Sequence, residues 1–460
     1  MIGRLAFRSL TAHPVRSAVL AAGFGAGVAV MALLLGVASI VLEQAQSPAL
    51  VGGGDVNISL PLGVPARLVL AGTLQSNTMR PRVRAAAASH TTELYLLRDG
   101  RRTRVDVRGG IPSVERELGD PEVAGIGAWR DTPEDSAWTR EPPDVVLRQI
   151  DRFHGVPDVP EWADSWAEWL YFNGRSNEAR FYLTFLVGPR TKSGNRAAGV
   201  RLQIERNGRM ESYGASTEVT DADLARAPDL AIGASSVRLD GMVYRIHVDV
   251  TGAGGRRATG DLSLTASAGR FVPPIEITGA RGWRTGYVVP VMSGALDGAL
   301  TVGPDEIPLG GGTGYHDHNW GFWRGVSWQW GQAQQGDLSL IYGRVFPPPE
   351  AADPERIPGL VGALGPDGPL GYATDVRITE TNDASGRPQT INVRARGPAL
   401  TIDLRFDVMS TETSRMTQGP LGNGLDFLQM RGQYTVSGRA GERELSFTAP
   451  GSAETFRGDQ

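Results

Sequence analysis

The segment Met242-Val-Tyr-Arg-Ile-His-Val-Asp-Val250 has an apolar residue at every even position. Its odd positions include Arg245, His247 and Asp249. Because successive side chains of a β-strand point to opposite faces, this alternation is typical of a strand with one buried face and one solvated face. The pattern therefore predicts a strand here and places His247 on the surface.

The same type of segment recurs over most of the chain beyond residue 170. Asn207-Gly208, Asp240-Gly241 and Asp297-Gly298 are dipeptides typical of hairpin turns. Further strand-like runs are found at 181–187, 200–205, 338–345, 399–408, 432–437 and 444–448. Many short strands with Gly and Pro turns predict β-barrels or sandwiches, and about 300 residues are enough for two barrels.

Composition excludes several classes of function. The 460 residues carry a formal net charge of only -4, spread over both signs, so no strong field favours nucleic acid as a partner. The chain has no cysteine, which excludes disulfides, thiolate metal sites and cysteine nucleophiles.

Residues 17–42 contain no charged side chain, a longer stretch than the roughly 20 residues that cross a bilayer as a helix. Arg4, Arg8 and Arg16 precede the stretch and Glu43 follows it. The positive-inside rule then predicts a single-pass protein of the inner (cytoplasmic) membrane, with its N-terminus in the cytoplasm and its bulk extracytoplasmic or periplasmic. A cleaved signal peptide is the alternative.

These features divide the chain into four predicted parts: a cytoplasmic N-terminus with its anchor (1–45), a small mixed α+β domain (46–150) and two β domains (155–305 and 306–460). Trp162, Trp166 and Trp169 have the i, i+4, i+7 spacing of one helical face. That face is either a core stripe or a stacking wall for a ligand.

The segment Gly314-Tyr-His-Asp-His-Asn-Trp-Gly321 has the densest group of ionisable, amide and indole side chains in the chain. In a strand, Tyr315, Asp317 and Asn319 would share one face, and His316, His318 and Trp320 the other. Only one of the two faces can line a cavity.

Three interpretations of this segment are open. If the histidine face lines the cavity, His316 and His318 could be a pair of metal ligands. If the other face does, an apolar cavity would keep Asp317 protonated near neutral pH, and such an acid can protonate an alkene. In the third, the polar groups only hydrogen-bond one another and fix the junction of two barrels.

The segment 312–321 resembles the central motif of the carotenoid 1,2-hydratase family, also called hydroxyneurosporene synthases, and of related two-domain lipocalin-like proteins. Weaker matches are Trp169-Leu-Tyr-Phe-Asn-Gly174 with Phe181-Tyr-Leu-Thr-Phe185, and Trp328-Gln-Trp-Gly331. The likeness covers residues 160–455. It implies two lipocalin-like β-barrels, a hydrophobic ligand within or between them, and no organic cofactor.

The resemblance implies acid catalysis by the Tyr and Asp of the Gly-Tyr-x-Asp motif, here Tyr315 and Asp317. The family's upstream His-x-Trp-x-Pro segment corresponds to Gly286-Tyr-Val-Val-Pro290, which has neither His nor Trp. No metal is assigned. The residues predicted to contact the ligand are His316, His318, Asn319, Trp320, Trp328, Trp330, Trp169 and Tyr171.

The N-terminal words Phe7-Arg-Ser-Leu-Thr-Ala-His-Pro-Val-Arg-Ser17 resemble the first helix of macrolide-exporter-type ABC permeases. The predicted function is thus a membrane-anchored protein that binds an isoprenoid or lipid and could hydrate a C=C bond. The alternative is a noncatalytic accessory subunit that presents lipid or lipoprotein to an ABC exporter. Gly23 and Gly27 would then pack against permease helices.

Overall fold

The computed structural model describes residues 58, 66–76, 79–98, 101–120, 131–135, 141–366, 368–415 and 426–457. The chain divides into two compact units. One consists of Met1–Ile58 with Ala85–Asp135, and the other of Ser59–Arg84 with Ser136–Gln460. Every strand pairing in the described residues is antiparallel.

The described helices are short. They include α1 (Ala66–Gln75), α2 (Pro112–Glu117), α3 (Pro143–Ile150) and α4 (Asp221–Leu224). Single 3-10 turns occupy Arg80–Arg82, Ala163–Ser165, Ala253–Gly255, Ala280–Gly282 and Pro354–Arg356.

The strands fall into three sheets. The smallest contains β1 (His90–Arg98) and β2 (Arg101–Gly109). The second sheet contains β3 (Trp166–Arg175), β4 (Arg180–Arg190), β5 (Arg196–Arg206), β6 (Arg209–Val219), β7 (Leu230–Ile232), β8 (Ser235–Asp240), β9 (Val243–Gly252), β10 (Arg257–Thr265), β11 (Val272–Thr278), β12 (Arg284–Val302), β13 (Asp305–Pro308) and β14 (Gly312–Phe322). The third contains β15 (Ser327–Gln335), β16 (Leu338–Phe346), β17 (Leu360–Gly365), β18 (Gly368–Ala373), β19 (Asp375–Asn382), β20 (Pro388–Arg396), β21 (Leu400–Arg415), β22 (Asp426–Ala440) and β23 (Arg443–Arg457).

Eight strands of the second sheet close into a barrel. The order around the ring is β3, β4, β5, β6, β9, β10, β12, β14, and β14 pairs back to β3. The third sheet runs β18-β17-β16-β15-β23-β22-β21-β20-β19, with its two end strands unpaired at their outer edges. Because β17 and β18 at one end contact β19 and β21 at the other, the sheet forms a second barrel that is nearly closed. The prediction of a mainly β protein with two barrels is confirmed.

Alternating burial explains why these segments are strands. In β9, Tyr244, Ile246, Val248 and Val250 are buried in the first barrel's core, as the alternation predicted. His247 keeps 45% of its side chain exposed and pairs with Asp261 on β10.

Two of the three predicted turns join consecutive strands. Asn207-Gly208 links β5 to β6 with positive φ at both residues, as a type I′ turn requires. Asp240 is the last residue of β8, and Gly241 begins the turn into β9. The prediction of a turn at Asp297-Gly298 is wrong, because both residues lie inside the long strand β12. Gly298 has a φ of 105°, and a Cβ there would meet the Asp261 carbonyl oxygen. The glycine therefore allows β12 to approach β10 closely.

The predicted domain boundary at 305/306 is also corrected. β14 pairs with β12 on one edge and β3 on the other, so it completes the first barrel instead of opening the second. The proposed mixed domain at 46–150 is divided as well. The hairpin β1–β2 and α2 belong to one unit, whereas α1 and α3 belong to the unit that contains the barrels.

The predicted tryptophan helix is not found. Ala163–Ser165 is a single 3-10 turn, and the strand β3 begins at Trp166. The segment forms the strand β3 because it pairs with β4 and β14, and these long-range pairings outweigh the helical spacing of the tryptophans. Trp162, Trp166 and Trp169 are all buried, but Trp166 and Trp169 leave the strand on opposite faces.

The predicted membrane span at 17–42 lies outside the described residues. None of the helices in the described part of the chain has both the length and the apolar character needed to cross a bilayer.

We predict that Gly286→Ala destabilises the first barrel. Gly286 lies opposite Trp320 across β12 and β14, and a Cβ would come within 2.4 Å of the Trp320 ring. Such overpacking costs about 1 to 3 kcal/mol. The urea midpoint of unfolding should fall accordingly. Gly362→Ala is the matched control, because this buried strand glycine has its nearest neighbour at 3.4 Å; equal effects of the two changes would contradict the prediction.

Candidate functional site

The strand β14 places the central motif between two environments. Asp317 lies opposite Tyr171 and Asn319 opposite Trp169 on β3, and both motif residues border a cavity shared with the second barrel. His316 and His318 leave the opposite face of the strand into the first barrel and are fully buried. The predicted alternation is therefore found, and the aspartate face is the one that lines the cavity.

The histidine face belongs to a buried network built on Asp151. This residue follows α3, which starts with Pro143 and buries Val146, Leu147 and Ile150. The Asp151 carboxylate faces His316 Nε2 and His318 Nδ1, each at 3.0 Å, and accepts a hydrogen bond from the Tyr244 hydroxyl at 2.8 Å. A carboxylate is disfavoured at the C-terminus of a helix and in the protein interior. The hydrogen bonds from Tyr244 and the two histidines stabilise Asp151 there.

Glu168 on β3 extends the network. Its Oε1 lies 2.9 Å from His318 Nε2 and 2.8 Å from His154 Nδ1, and it also accepts from the His154 backbone N–H. His316 Nδ1 donates to the Tyr171 carbonyl oxygen at 2.9 Å. Both ring nitrogens of His316 and His318 are thus occupied by acceptors.

The charges of this network support one another. Burial alone would raise the pKa of Asp151 and Glu168, but the neighbouring histidines bring the pKa of both carboxyls below their usual values. Burial opposes the charged form of His318, yet the hydrogen bonds that its ring donates to both carboxylates, and their attraction, raise its pKa to about 9. His318 is therefore an imidazolium held between two carboxylates at neutral pH.

A metal at this place would need the same atoms. His154, Glu168 and His318 offer three ligand atoms within 4.8 Å of one another. However, the short nitrogen to oxygen contacts among them are those of ordinary N–H···O hydrogen bonds. Metal binding would require His318 to lose its Nε2 proton. The geometry therefore favours a hydrogen-bonded network over a metal site, and His316 contributes no atom to the possible ligand group.

The other face of β14 borders a cavity of about 520 Å³ between the barrels. Its walls are strongly aromatic, and the rings contact one another. Trp169 lies 4.6 Å from Trp323 between ring centroids, and Trp328 lies 4.4 Å from Phe456. The aromatic lining includes Trp169, Trp323, Trp328, Trp330, Phe427 and Phe456. A cavity of this size and lining suits a small apolar ligand.

Two carboxyls from different barrels enter this cavity. Asp317 of the first barrel accepts a hydrogen bond from Asn319 Nδ2 at 2.7 Å. Glu454 on β23 of the second accepts one from the Tyr171 hydroxyl at 3.1 Å, and Gln429 Nε2 donates to both Tyr171 (3.2 Å) and Glu454 (3.3 Å). The polar part of the site is therefore assembled across the barrel interface.

The hydrogen-bond donors found for these two carboxyls in the described part of the chain are neutral side chains. Burial and then repulsion from Glu454 raise the pKa of Asp317 to about 8. Burial also raises the pKa of Glu454, although hydrogen bonds from Tyr171 and Gln429 act against it. Asp317 is therefore mostly protonated at neutral pH and can act as an acid.

Tyr315 is buried beside Asp317 but does not line the cavity. It packs in a small apolar cluster between the barrels with Val289, Met292 and Ile341. Burial, followed by the nearby Asp317 carboxyl, raises the pKa of Tyr315 well above its usual value, so its hydroxyl stays protonated. The catalytic role of Tyr315 stays a prediction.

The predicted ligand contacts divide according to the strand face. Asn319, Trp169, Tyr171, Trp328 and Trp330 all line the cavity. The pleat directs His316, His318 and Trp320 into the first barrel, away from this cavity, and their contact with a ligand stays a prediction.

Sequence reasoning missed Glu454, Gln429 and Arg201. Glu454 lies beyond residue 448, where the last strand is predicted to end. Pro450, a residue that usually interrupts strands, lies inside β23, which continues to Arg457. The alternation Ser452, Glu454, Phe456 on one face was the signal that could have identified it.

Comparisons with known proteins give only distant likenesses. No protein-family model matches the chain, and no curated protein does. An AttH candidate from Nitrosomonas europaea is similar in structure with a TM-score of 0.42 and 14% identity, over 66% of this chain and 98% of that one. Kievitone hydratase from Nectria haematococca gives 0.43 and 12%, over 66% and 96%. CghA with Sch210972 gives 0.37 and 14%, over 69% and 95%. Likenesses this weak assign no activity.

We predict that the stabilising effect of His318 depends on pH. A pKa raised from 6.5 to about 9 on folding means that the effect is complete below pH 6.5 and is lost as the pH rises through 9. At pH 6, His318→Gln should lower the unfolding free energy by about 3 to 5 kcal/mol, because it breaks a buried ion pair.

The measurement is urea unfolding of wild type and His318→Gln between pH 6 and 9.5. The difference between the two proteins should shrink as the pH rises. His247→Gln removes an exposed histidine and should show little difference at any pH. A His318→Gln effect that is constant with pH would contradict the charged network.

Proposed function

We propose that the cavity between the barrels binds an unsaturated apolar molecule and that Asp317 protonates one of its C=C bonds, leading to hydration or cyclisation. The observation that carries this proposal is the Asp317 carboxyl, buried against an aromatic cavity with a pKa of about 8. A carboxylic acid that is still protonated at neutral pH has the proton that alkene activation needs.

The reaction would begin with transfer of the Asp317 proton to one alkene carbon. The π electrons form the new C–H bond, and the other carbon becomes a cation. The faces of Trp169 and Trp328 are available to stabilise this cation through cation-π attraction. Water then adds to the cation and gives up a proton to the Asp317 carboxylate, which yields an alcohol and restores the acid. In a cyclisation, a second C=C bond attacks in place of water, and a neighbouring carbon loses the proton.

Glu454 would assist Asp317 as the proton donor. Its repulsion keeps the proton on Asp317, and its hydrogen bonds with Tyr171 and Gln429 hold it in place. A water molecule between the two carboxyls would have an acceptor for its proton on either side. The second barrel would thus take part in the chemistry as well as in enclosing the ligand.

The resemblance of 312–321 to the carotenoid 1,2-hydratases supports the same assignment for Asp317. Residues 286–290 differ from the His-x-Trp-x-Pro segment of that family, and within this segment Tyr287 lines the cavity. We therefore propose a hydratase-like or cyclase-like reaction on a different ligand. Attachment to the inner membrane by residues 17–42 is part of this proposal, and ligand binding without turnover for an ABC exporter is its alternative.

We predict that Asp317→Asn abolishes product formation, because asparagine has no acidic proton to transfer. Wild type and the variant are incubated with extracted membrane isoprenoids, and the products are compared by mass spectrometry for added water or isomerisation. Asp261→Asn, which alters an exposed aspartate, should leave product formation unchanged. Equal product from wild type and Asp317→Asn, or no product from either, would refute the enzymatic proposal.

We predict that the rate with the substrate so found declines above pH 8, about tenfold per pH unit, because Asp317 must be protonated. Glu454→Gln removes the repulsion that raises the Asp317 pKa and should move this decline to lower pH. Glu444→Gln changes an exposed residue of the same strand and should leave the profile in place. An unshifted profile in Glu454→Gln would contradict the coupling of the two carboxyls.

A further inference from the structure

Arg201 lies near the end of the cavity that is remote from Asp317, on the strand beside β6, where the described lining ends. The two residues belong to one row that crosses four neighbouring strands, because Arg201 is opposite Thr184, Thr184 is opposite Tyr171, and Tyr171 is opposite Asp317. All four residues line the cavity. Since neighbouring strands are about 4.8 Å apart, the row separates Arg201 from Asp317 by about 14 Å along the sheet.

The second barrel presents a parallel row to the first. Trp330 is opposite Glu454, Glu454 is opposite Gln429, and Gln429 is opposite Glu412. The Asp317 end of the cavity therefore faces Glu454, whereas the Arg201 end faces the last residues of β21, where Arg201 Nη2 donates to Ser414 Oγ at 2.7 Å.

The positive charge of Arg201 is incompletely matched by protein groups. Arginine has five N–H donors, and a neutral serine hydroxyl is the hydrogen-bond acceptor found for it within the described part of the chain. Glu412 attracts the guanidinium electrostatically, but in the same part of the chain no carboxylate approaches it within 4.0 Å. Among the described residues that line the cavity, Arg201 is the one cation.

The cavity thus has an acid at one end, a cation at the other and aromatic walls between. An anionic ligand group would be attracted to Arg201 and repelled by the Glu454 carboxylate at the end where Asp317 lies. This asymmetry would fix the direction in which an elongated ligand enters.

From this arrangement we infer that the ligand is an amphiphile with a carboxylate bound by Arg201 and an unsaturated apolar chain that reaches Asp317. The inference names the substrate class of the proposed function and rests on it. A guanidinium binds a carboxylate through two parallel hydrogen bonds. A doubly charged phosphate would normally need a second cation, which the described lining does not provide.

The test compares the binding of cis-parinaric acid and its methyl ester, two fluorescent polyenes that differ only in the negative charge. The full-length protein in detergent is titrated with each probe, and the ratio of the two Kd values is measured. A charge-assisted hydrogen bond predicts that wild type binds the acid roughly tenfold more tightly than the ester.

Four variants identify the group responsible. Arg201→Gln should bring the ratio near one while the affinity for the ester is kept, and Arg201→Lys should retain part of the preference. Glu412→Gln should increase the preference, because a competing carboxylate is removed. Arg209→Gln, which removes an exposed arginine after the β5–β6 turn, should leave the ratio unchanged.

The inference is overturned if wild type binds both probes equally or binds neither, or if Arg201→Gln keeps the wild-type ratio. A protein that prefers the acid but forms no product refutes the proposed function and leaves the carboxylate subsite intact. Product from an uncharged isoprenoid, with equal affinity for acid and ester, refutes the subsite and leaves the proposed function intact.

Discussion

The pleat of β14 is the constraint on which the rest of the site depends. Because successive side chains leave a strand on opposite faces, the motif sends His316 and His318 into the first barrel and Asp317 towards the second. The strand is paired on both edges, with β12 and β3, so its register cannot slip by one residue without exchanging the two faces. The charged interior network and the cavity acid are therefore consequences of a single register.

Four carboxyls in and around β14 show what each face contributes. Asp151 and Glu168 have histidine partners, and their pKa values are lowered. Asp317 and Glu454 accept hydrogen bonds from the neutral side chains of Asn319, Tyr171 and Gln429, and their pKa values are raised. Burial acts in the same direction on all four, so the nearby histidines decide the sign. The first pair anchors α3 and β3 to the barrel interior, whereas the second pair is available for chemistry.

Local patterns were enough to predict the class of fold and one half of the site. Alternation in 242–250 predicted a buried strand face, and the motif's alternation separated Asp317 from the histidines. The boundary at 305 failed because ring closure by β14 is a long-range pairing that no local pattern contains. Arg201 was missed for the same reason, since it reaches the cavity only when distant strands come together. Glu454 was missed because the last strand was predicted to end before Pro450. Trp162, Trp166 and Trp169 misled because helical spacing can occur by chance in a strand.

The central claim is that Asp317 is an uncharged acid at neutral pH. Difference infrared spectroscopy of wild type against Asp317→Asn measures this directly, through the C=O band of a protonated carboxyl. The account predicts a protonated band at pH 7 that is missing in the variant and that disappears from wild type as the pH rises through about 8. A carboxylate band at pH 7, with titration near the ordinary aspartate pKa of about 4, would contradict it.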